Sequence, residues 1–282
     1  MRWLVVFWFC LFTGDLSAQG YYQKSVDAYR AMKYDSAFLY IETAVNYYRT
    51  QRMTDSLVLT YIQKADMVWS QKGIPSALAA IDSAIILARQ LPFKDPLHVA
   101  AFNKKGQILV HNKEPEKGKK YLLQALDHVD ANAAPNGIYA ALYNNLSWFF
   151  LELQNFTPAM DYAEKAKKIN EDLYGRNARQ LLGAYQSLMS IAHDAGWFSR
   201  AEQYGLELYR LGTLNLPASH PNMGLIHNEL GILYESMYRL DEALFHKQQM
   251  VHIIQQDYAK HKNPQLLAIA YNNMGSFYYI IG

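Results

Sequence analysis

Residues 143–166 read YNNLSWFFLELQNFTPAMDYAEKA, and two features of this stretch decide the fold. Its apolar residues recur at spacings of three and four, Leu146 and Phe150, then Ala159, Tyr162, Ala163 and Ala166, which is a helical period and not the alternation of a strand. Between the two runs lies Thr157-Pro158, a helix-opening pair, so the stretch reads as two helices joined by a short turn. The second feature is a pair of small residues, Ser147 and Ala159, set twelve positions apart. They belong where the two helices of a hairpin approach most closely, because a larger side chain there would hold the backbones apart.

The same arrangement extends in both directions. Its anchors are Ser25, Ala65, Gly106, Ser147, Met189, Gly231 and Gly275, at intervals of 40, 41, 41, 42, 42 and 44 residues, with Met189 the one bulky exception. Twelve residues after the first six come Ala37, Ala77, Gly118, Ala159, Ala201 and Ala243, and seven further on come Ala44, Ala84, Ala125, Ala166, Leu208 and Met250. Three after each anchor runs an apolar or aromatic column, Ala28, Val68, Leu109, Phe150, Ala192, Tyr234 and Tyr278. Helix-start residues mark the turn inside each unit: Asp35-Ser36, Pro75-Ser76, Pro115-Glu116, Thr157-Pro158, Ser199 and Asp241-Glu242. Leu91-Pro92, Ala134-Pro135-Asn136-Gly137, Leu216-Pro217 and Asn263-Pro264 separate the units. The chain therefore reads as all-α, six helix hairpins and the first helix of a seventh, with stacking of neighbours supplying the core that one hairpin cannot.

This pattern resembles the tetratricopeptide repeat over residues 19–282, and its long period, with Asn263-Pro264 opening a unit and Tyr271-Asn272-Asn273-Met274-Gly275 entering a first helix, resembles the kinesin-light-chain type. The resemblance implies an α-α superhelix, a solenoid of antiparallel hairpins. The first three units depart from it at one column, where Lys24, Lys64 and Lys105 stand in place of the later Leu146, Leu188, Leu230 and Met274. Long repeats of this kind are common in exported bacterial proteins.

Met1–Ala18 agree with export: one Arg, ten consecutive apolar residues from Trp3 to Phe12, then small and polar residues ending at Ala18. That is the layout of a secretory signal peptide with cleavage near Ala18, and the apolar run is about half the ~20 residues a membrane-crossing helix needs. The reading is thus of a mature chain from residue 19 with no transmembrane span, periplasmic or extracellular. Cys10 is the single cysteine, so removing the leader leaves a cysteine-free protein.

The 27 Lys and Arg against 25 Asp and Glu leave a formal charge of +2, which gives no general attraction to nucleic acid, and the basic run at Lys113–Lys120 is interleaved with Glu114 and Glu116 as on a solvated helix face. No Gly-rich phosphate loop, His-Glu-x-x-His helix or cysteine nucleophile occurs in the mature chain. The closest histidine pairs, His220 with His227 and His246 with His252, have no carboxylate placed as a third ligand. The sequence therefore predicts no enzyme, cofactor or metal.

In the family that the pattern resembles, first helices line a concave face that takes extended peptides or partner helices. Three residues before successive anchors on that face stand Asn103, Asn144, Gln186, Asn228 and Asn272, a row of side-chain amides suited to a peptide backbone because each both donates and accepts. Neighbouring columns add Trp148, His193, Glu235 and Tyr279 to this candidate groove. The same Asn residues could instead link adjacent helices. The expected partner is a protein or peptide, bound by a non-enzymatic scaffold. The alternative is the sensing or autoinhibitory arm of a larger exported CHAT-type protease, or of a membrane histidine kinase or transcriptional regulator. Ser276–Ile281 is strongly apolar for a solenoid end, which points to a following domain or a copy of the chain covering the last helix.

Overall fold

The computed structural model describes residues 16–130, 132–261 and 264–282; the apolar run of the leader lies outside them. Among the described residues there are thirteen helices and no strand. First helices α1 (Leu16–Arg30), α3 (Thr54–Lys72), α5 (Pro96–His111), α7 (Gly137–Glu152), α9 (Leu181–Asp194) and α11 (Pro221–Ser236) alternate with second helices. These are α2 (Tyr34–Thr50), α4 (Ile74–Ala88), α6 (Pro115–Asp127), α8 (Phe156–Tyr174), α10 (Phe198–Asn215) and α12 (Leu240–His261). Each first helix packs on the second helix that follows it, and α13 (Pro264–Ile281) packs on α12. No described helix is long and apolar enough to cross a membrane.

Two compact units result, one ending at Asn132 and the other spanning Ala133–Gly282. The first is built from α1–α6 around Ile41, Ala44, Ala65, Ile81, Ala84, Ile108 and Leu122, and the second from α7–α13 around Ala159, Leu188, Ile191, Leu208, Leu230, Leu233 and Phe277. Each large side chain in these sets is removed from water almost completely, worth roughly 1.5–3 kcal/mol apiece.

The small-residue columns do what their spacing requires. A Cβ added to Gly106 would lie 3.1 Å from the Gly118 carbonyl oxygen, and one added to Gly118 would lie 2.9 Å from that of Gly106, so the two backbones nearly touch. Met189, the bulky anchor, fits for a local reason. Its sulfur lies 3.0 Å from where a Cβ of Gly205 would be, and Gly205 stands at the position that Leu122 occupies opposite Gly106. Large opposite small is kept in both hairpins with the order reversed, a volume-conserving exchange.

The turns inside the hairpins differ from expectation. The helix-start residues lie within the first turn of the second helices, and the residues at the N-caps of α2, α4, α6, α8 and α10 make no side-chain cap. Instead, in five of the six hairpins, the preceding helix closes on itself through one left-handed residue, Met32, Lys113, Gln154, Gly196 or Tyr238. The next N–H then bonds back five residues, as from Lys33 to Ala28, Glu114 to Leu109 and Arg239 to Tyr234. Four of these five residues are not glycine and carry a strain of about 1 kcal/mol each. Side-chain caps appear at first helices, where Asp95, Asn136 and His220 accept from the N–H groups of Leu97, Ile138 and Asn222.

Candidate functional site

Each amide of the predicted row now has a place, and the places differ. In the first unit, Asn103 is buried in α5. In the second, Asn144 of α7 is half-buried, and its Oδ1 is shut off from water with no hydrogen-bond partner. Gln186 of α9 is exposed and bonds the Glu229 carboxylate of α11. Asn228 is buried, and its Oδ1 accepts at 2.7 Å from Asn273, the neighbour of the predicted Asn272, which is itself exposed. His193 bridges Asp194 at 3.0 Å and Ser236 of α11 at 2.8 Å, while Glu235 pairs at 2.7 Å with Lys247. Trp148 is exposed, and Tyr279 is almost fully so.

Two jobs are divided among these residues. Gln186–Glu229, His193–Ser236 and Asn228–Asn273 tie α9 to α11 and α11 to α13, so this part of the row links successive first helices. Trp148, one helical turn from Asn144, is exposed and joined to none of these links. Beside them opens a cleft of about 540 Å³ lined by Trp148, Leu151, Glu152, Phe156, Ser190 and Asp194, with no Lys or Arg in its wall. Burial raises the Glu229 carboxyl above its ordinary value, against the bond from Gln186 and the nearby His193.

A second cleft of about 570 Å³ lies between α10, α11 and α12, lined by Tyr209, Met223, His227, Gln249, His252 and Gln256. The fold pairs histidines that adjacency in the sequence does not. His227 and His246 meet Nδ1 to Nδ1 at 2.8 Å, against the rings of Tyr209 and Phe245, with Tyr234 on His246. Their spacing of nineteen residues is that of Tyr143–Tyr162 and Tyr185–Tyr204, rings that meet across earlier hairpins, and this shared spacing is the signal that would have found the pair. Among the described residues, no three His, Cys, Asp or Glu side chains gather as a metal site.

No family model matches the sequence, and no curated protein does. Solved structures match over most of its length. BtubC from P. vanneervenii superposes with a TM-score of 0.63 at 16% identity, covering 89% of this chain and 96% of that one. A Podosopora anserina putative kinesin light chain with nearly identical TPR-like repeats gives 0.61 at 14% identity, covering 72% and 97%. PilW, a widely conserved type IV pilus biogenesis factor, gives 0.63 at 15% identity, covering 92% and 100%. The chain has the tetratricopeptide-repeat fold. In this tetratricopeptide array the His227–His246 pair stands where other hairpins carry two larger rings, and it brings a pH dependence on the acid side that tyrosine and phenylalanine rings do not.

Burial, and secondarily the facing His227, push the His246 imidazole down to about 4, and burial lowers His227 as well. Both rings are neutral in the folded state near pH 7, whereas in the unfolded chain each takes up a proton near pH 6.5. Protons therefore favour the unfolded state as pH falls from about 6.5 towards 4, and stability drops in that window. Because His246 is only half-buried, screening trims the loss to about 1–2 kcal/mol. His246→Tyr, which restores the residue of Tyr162 and Tyr204, should flatten the dependence. Urea unfolding of both proteins at pH 7.5, 6 and 4.5 measures this, and parallel pH profiles would reject it. The raised Glu229 carboxyl, which works in the opposite sense, is common to both proteins and cancels in the comparison.

Proposed function

We propose that the chain is an exported, non-enzymatic scaffold that holds an extended peptide on the first-helix face of its second unit, with a basic side chain of the peptide in the Trp148 cleft. The observation that carries this reading is the Asn144 Oδ1, sealed from water without a partner one turn from the exposed Trp148. A buried acceptor left unpaired costs about 1–3 kcal/mol, and rotation of the half-buried Asn144 amide toward the surface, where a peptide N–H meets it, removes that cost. Trp148 offers a ring face to a cation while Glu152 and Asp194 line the same cleft, a combination that suits Lys or Arg. Asn228, bonded to Asn273, serves the packing of α11 on α13 in this reading and does not touch the ligand.

The test is an array of synthetic peptides, probed first with the wild-type chain and then with the Asn144→Ala/Trp148→Ala double variant. Wild type should retain peptides that contain Lys or Arg. The double variant should bind the same peptides at least tenfold more weakly while its unfolding free energy changes little. Equal binding by both proteins, or selection of acidic peptides, would overturn the site. Export is checked separately by the mass of the protein recovered from its source, which should start at residue 19.

A further inference from the structure

The loop between α4 and α5, residues 89–95, is fastened within the first unit by two histidines and a lysine. Pro92, Phe93 and Lys94 are exposed, and the attachments are made at backbone carbonyls. His98, in the first turn of α5, lies with Nε2 3.3 Å from the Leu91 carbonyl oxygen. His128, at the C-cap of α6, donates from Nδ1 to the Phe93 carbonyl oxygen at 2.6 Å. Lys94 reaches the other way. Its ammonium donates to the carbonyls of Asp127 at 2.6 Å and Val129 at 3.0 Å, acceptors at the end of α6 that the helix itself leaves open. The loop and the last turn of α6 therefore hold each other, and the grip on the loop passes through histidine.

The two imidazoles lie face to face. Their centroids are 4.4 Å apart and their planes 6° from parallel, with Phe102 stacked on His128 at 5.4 Å and Phe93 tilted against it at 4.3 Å. His98 is 4% exposed and His128 9%. Each neutral ring spends its N–H on the loop, so a further proton must go to the other nitrogen. For His98 that is Nδ1, sealed from water with no hydrogen-bond partner, where a charge would find neither solvent nor an acceptor. Burial lowers the pKa of His128, with the facing His98 and Lys94 acting in the same sense and the Phe93 bond and Asp127 opposing them. The other charged groups nearby are placed elsewhere: Asp95 accepts from the Leu97 N–H and faces Asp55 of α3, Asp130 accepts from the Asn132 N–H, and Arg89 is exposed.

We propose that this loop is an acid-opened latch. Closed at neutral pH, it releases residues 91–95 and the last turn of α6 together when a proton enters the His98–His128 stack, because a charged ring gains more from water than from the stack. Opening also hydrates the His98 Nδ1, which the closed form leaves unpaired, and uncovers the Phe102 ring beneath His128. The direction follows from His128. It binds a proton less readily in the closed form than in the open one, where it titrates near pH 6.5, so the latch weakens as pH falls below about 6.5.

Hydrogen–deuterium exchange of the full chain at pH 7.5 and 5.0, each corrected for intrinsic exchange, reads the latch through three amides. Those of Asp95, His128 and Val129 bond Pro92, Ala125 and Leu126 in the closed form. Their protection should fall at least tenfold at the lower pH while that of Ile41 and Ala44 in α2 is kept. His128→Gln, whose carboxamide can still donate to the Phe93 carbonyl but takes up no proton, should show no such fall. Unchanged protection in the wild-type chain overturns the latch, as does an equal fall in His128→Gln. A simultaneous loss in α2 also overturns it, because that is general unfolding. Where His128→Gln is open at both pH values, the imidazole signal of His128 in the wild-type chain decides. By NMR it should titrate below pH 6.5 and in step with the loss of protection; a ring that titrates at or above 6.5, or without opening the loop, overturns the proposal.

Discussion

Gly118→Ala should cost the protein at least 2 kcal/mol, and Gly118→Val should keep the first unit from folding normally. Intrinsic preference runs the other way, since alanine in a helix interior is favoured over glycine by about 1 kcal/mol. Distance decides the sign. The added Cβ would lie 2.5 Å from Val110 Cγ2, 2.9 Å from the Gly106 carbonyl oxygen and 3.0 Å from the Val110 nitrogen. A rotamer change of Val110 relieves the first contact, but the other two are with backbone, and only separation of α5 from α6 relieves them. That separation opens the packing around Leu122 and Ile108, both fully buried, and converts one added methyl into a loss across the hairpin. Gly183→Ala is the matched control, because its Cβ meets nothing within 4 Å and its site in α9 is exposed. Urea unfolding should show Gly183→Ala unchanged or stabilised by up to about 1 kcal/mol and Gly118→Ala strongly destabilised. Two variants of equal stability would mean that helices α5 and α6 are not held at this distance.

The same close approach explains why so much of the fold could be read from the sequence. A small residue that must face another small residue leaves a column that survives when everything around it changes, and Ser25, Ala65, Gly106, Ser147 and Gly231 form one. Even the exception was written there: Met189 and Gly205 exchange bulk across the hairpin, but that becomes visible only once it is known that positions sixteen apart touch. The left-handed turn residues were not readable, because Met32, Lys113, Gln154 and Tyr238 take a glycine's conformation without being glycine, and the backbone bonds that hold them there have no side-chain signature. The candidate groove was half legible for a related reason. Columns place Asn144, Gln186, Asn228 and Asn272 on one helix face, but whether each amide faces solvent or a neighbouring helix depends on what that neighbour offers. Asn273 offers its own amide to Asn228, whereas nothing is offered to the Asn144 oxygen.

Glu235→Ala should destabilise the second unit by about 2–3 kcal/mol, which makes this member of the predicted groove a residue of stability first. Its partner, Lys247, lies at the position of Ile41, Ile81 and Leu122 in earlier hairpins and is almost as buried as they are, with its stem against Gly231 and its ammonium over the Phe277 ring at 5.4 Å. An ammonium at such depth is tolerable while Glu235 holds it at 2.7 Å. Removing the carboxylate strands the charge, and the penalty is that of a buried, unpaired cation more than of one lost contact. Removing the lysine should do little harm: Lys247→Met keeps the stem, deletes the charge and returns the site to the apolar kind found in its repeats, and Glu235 is exposed enough to be rehydrated. The double variant should then sit close to Lys247→Met alone, so that a thermodynamic cycle gives a coupling of about 2 kcal/mol. Additive losses would show that Lys247 finds water or another partner when Glu235 is gone. If the coupling holds, loss of ligand by a Glu235 variant reports on the packing of α12 against α11, and only the Asn144 and Trp148 variants report on the groove.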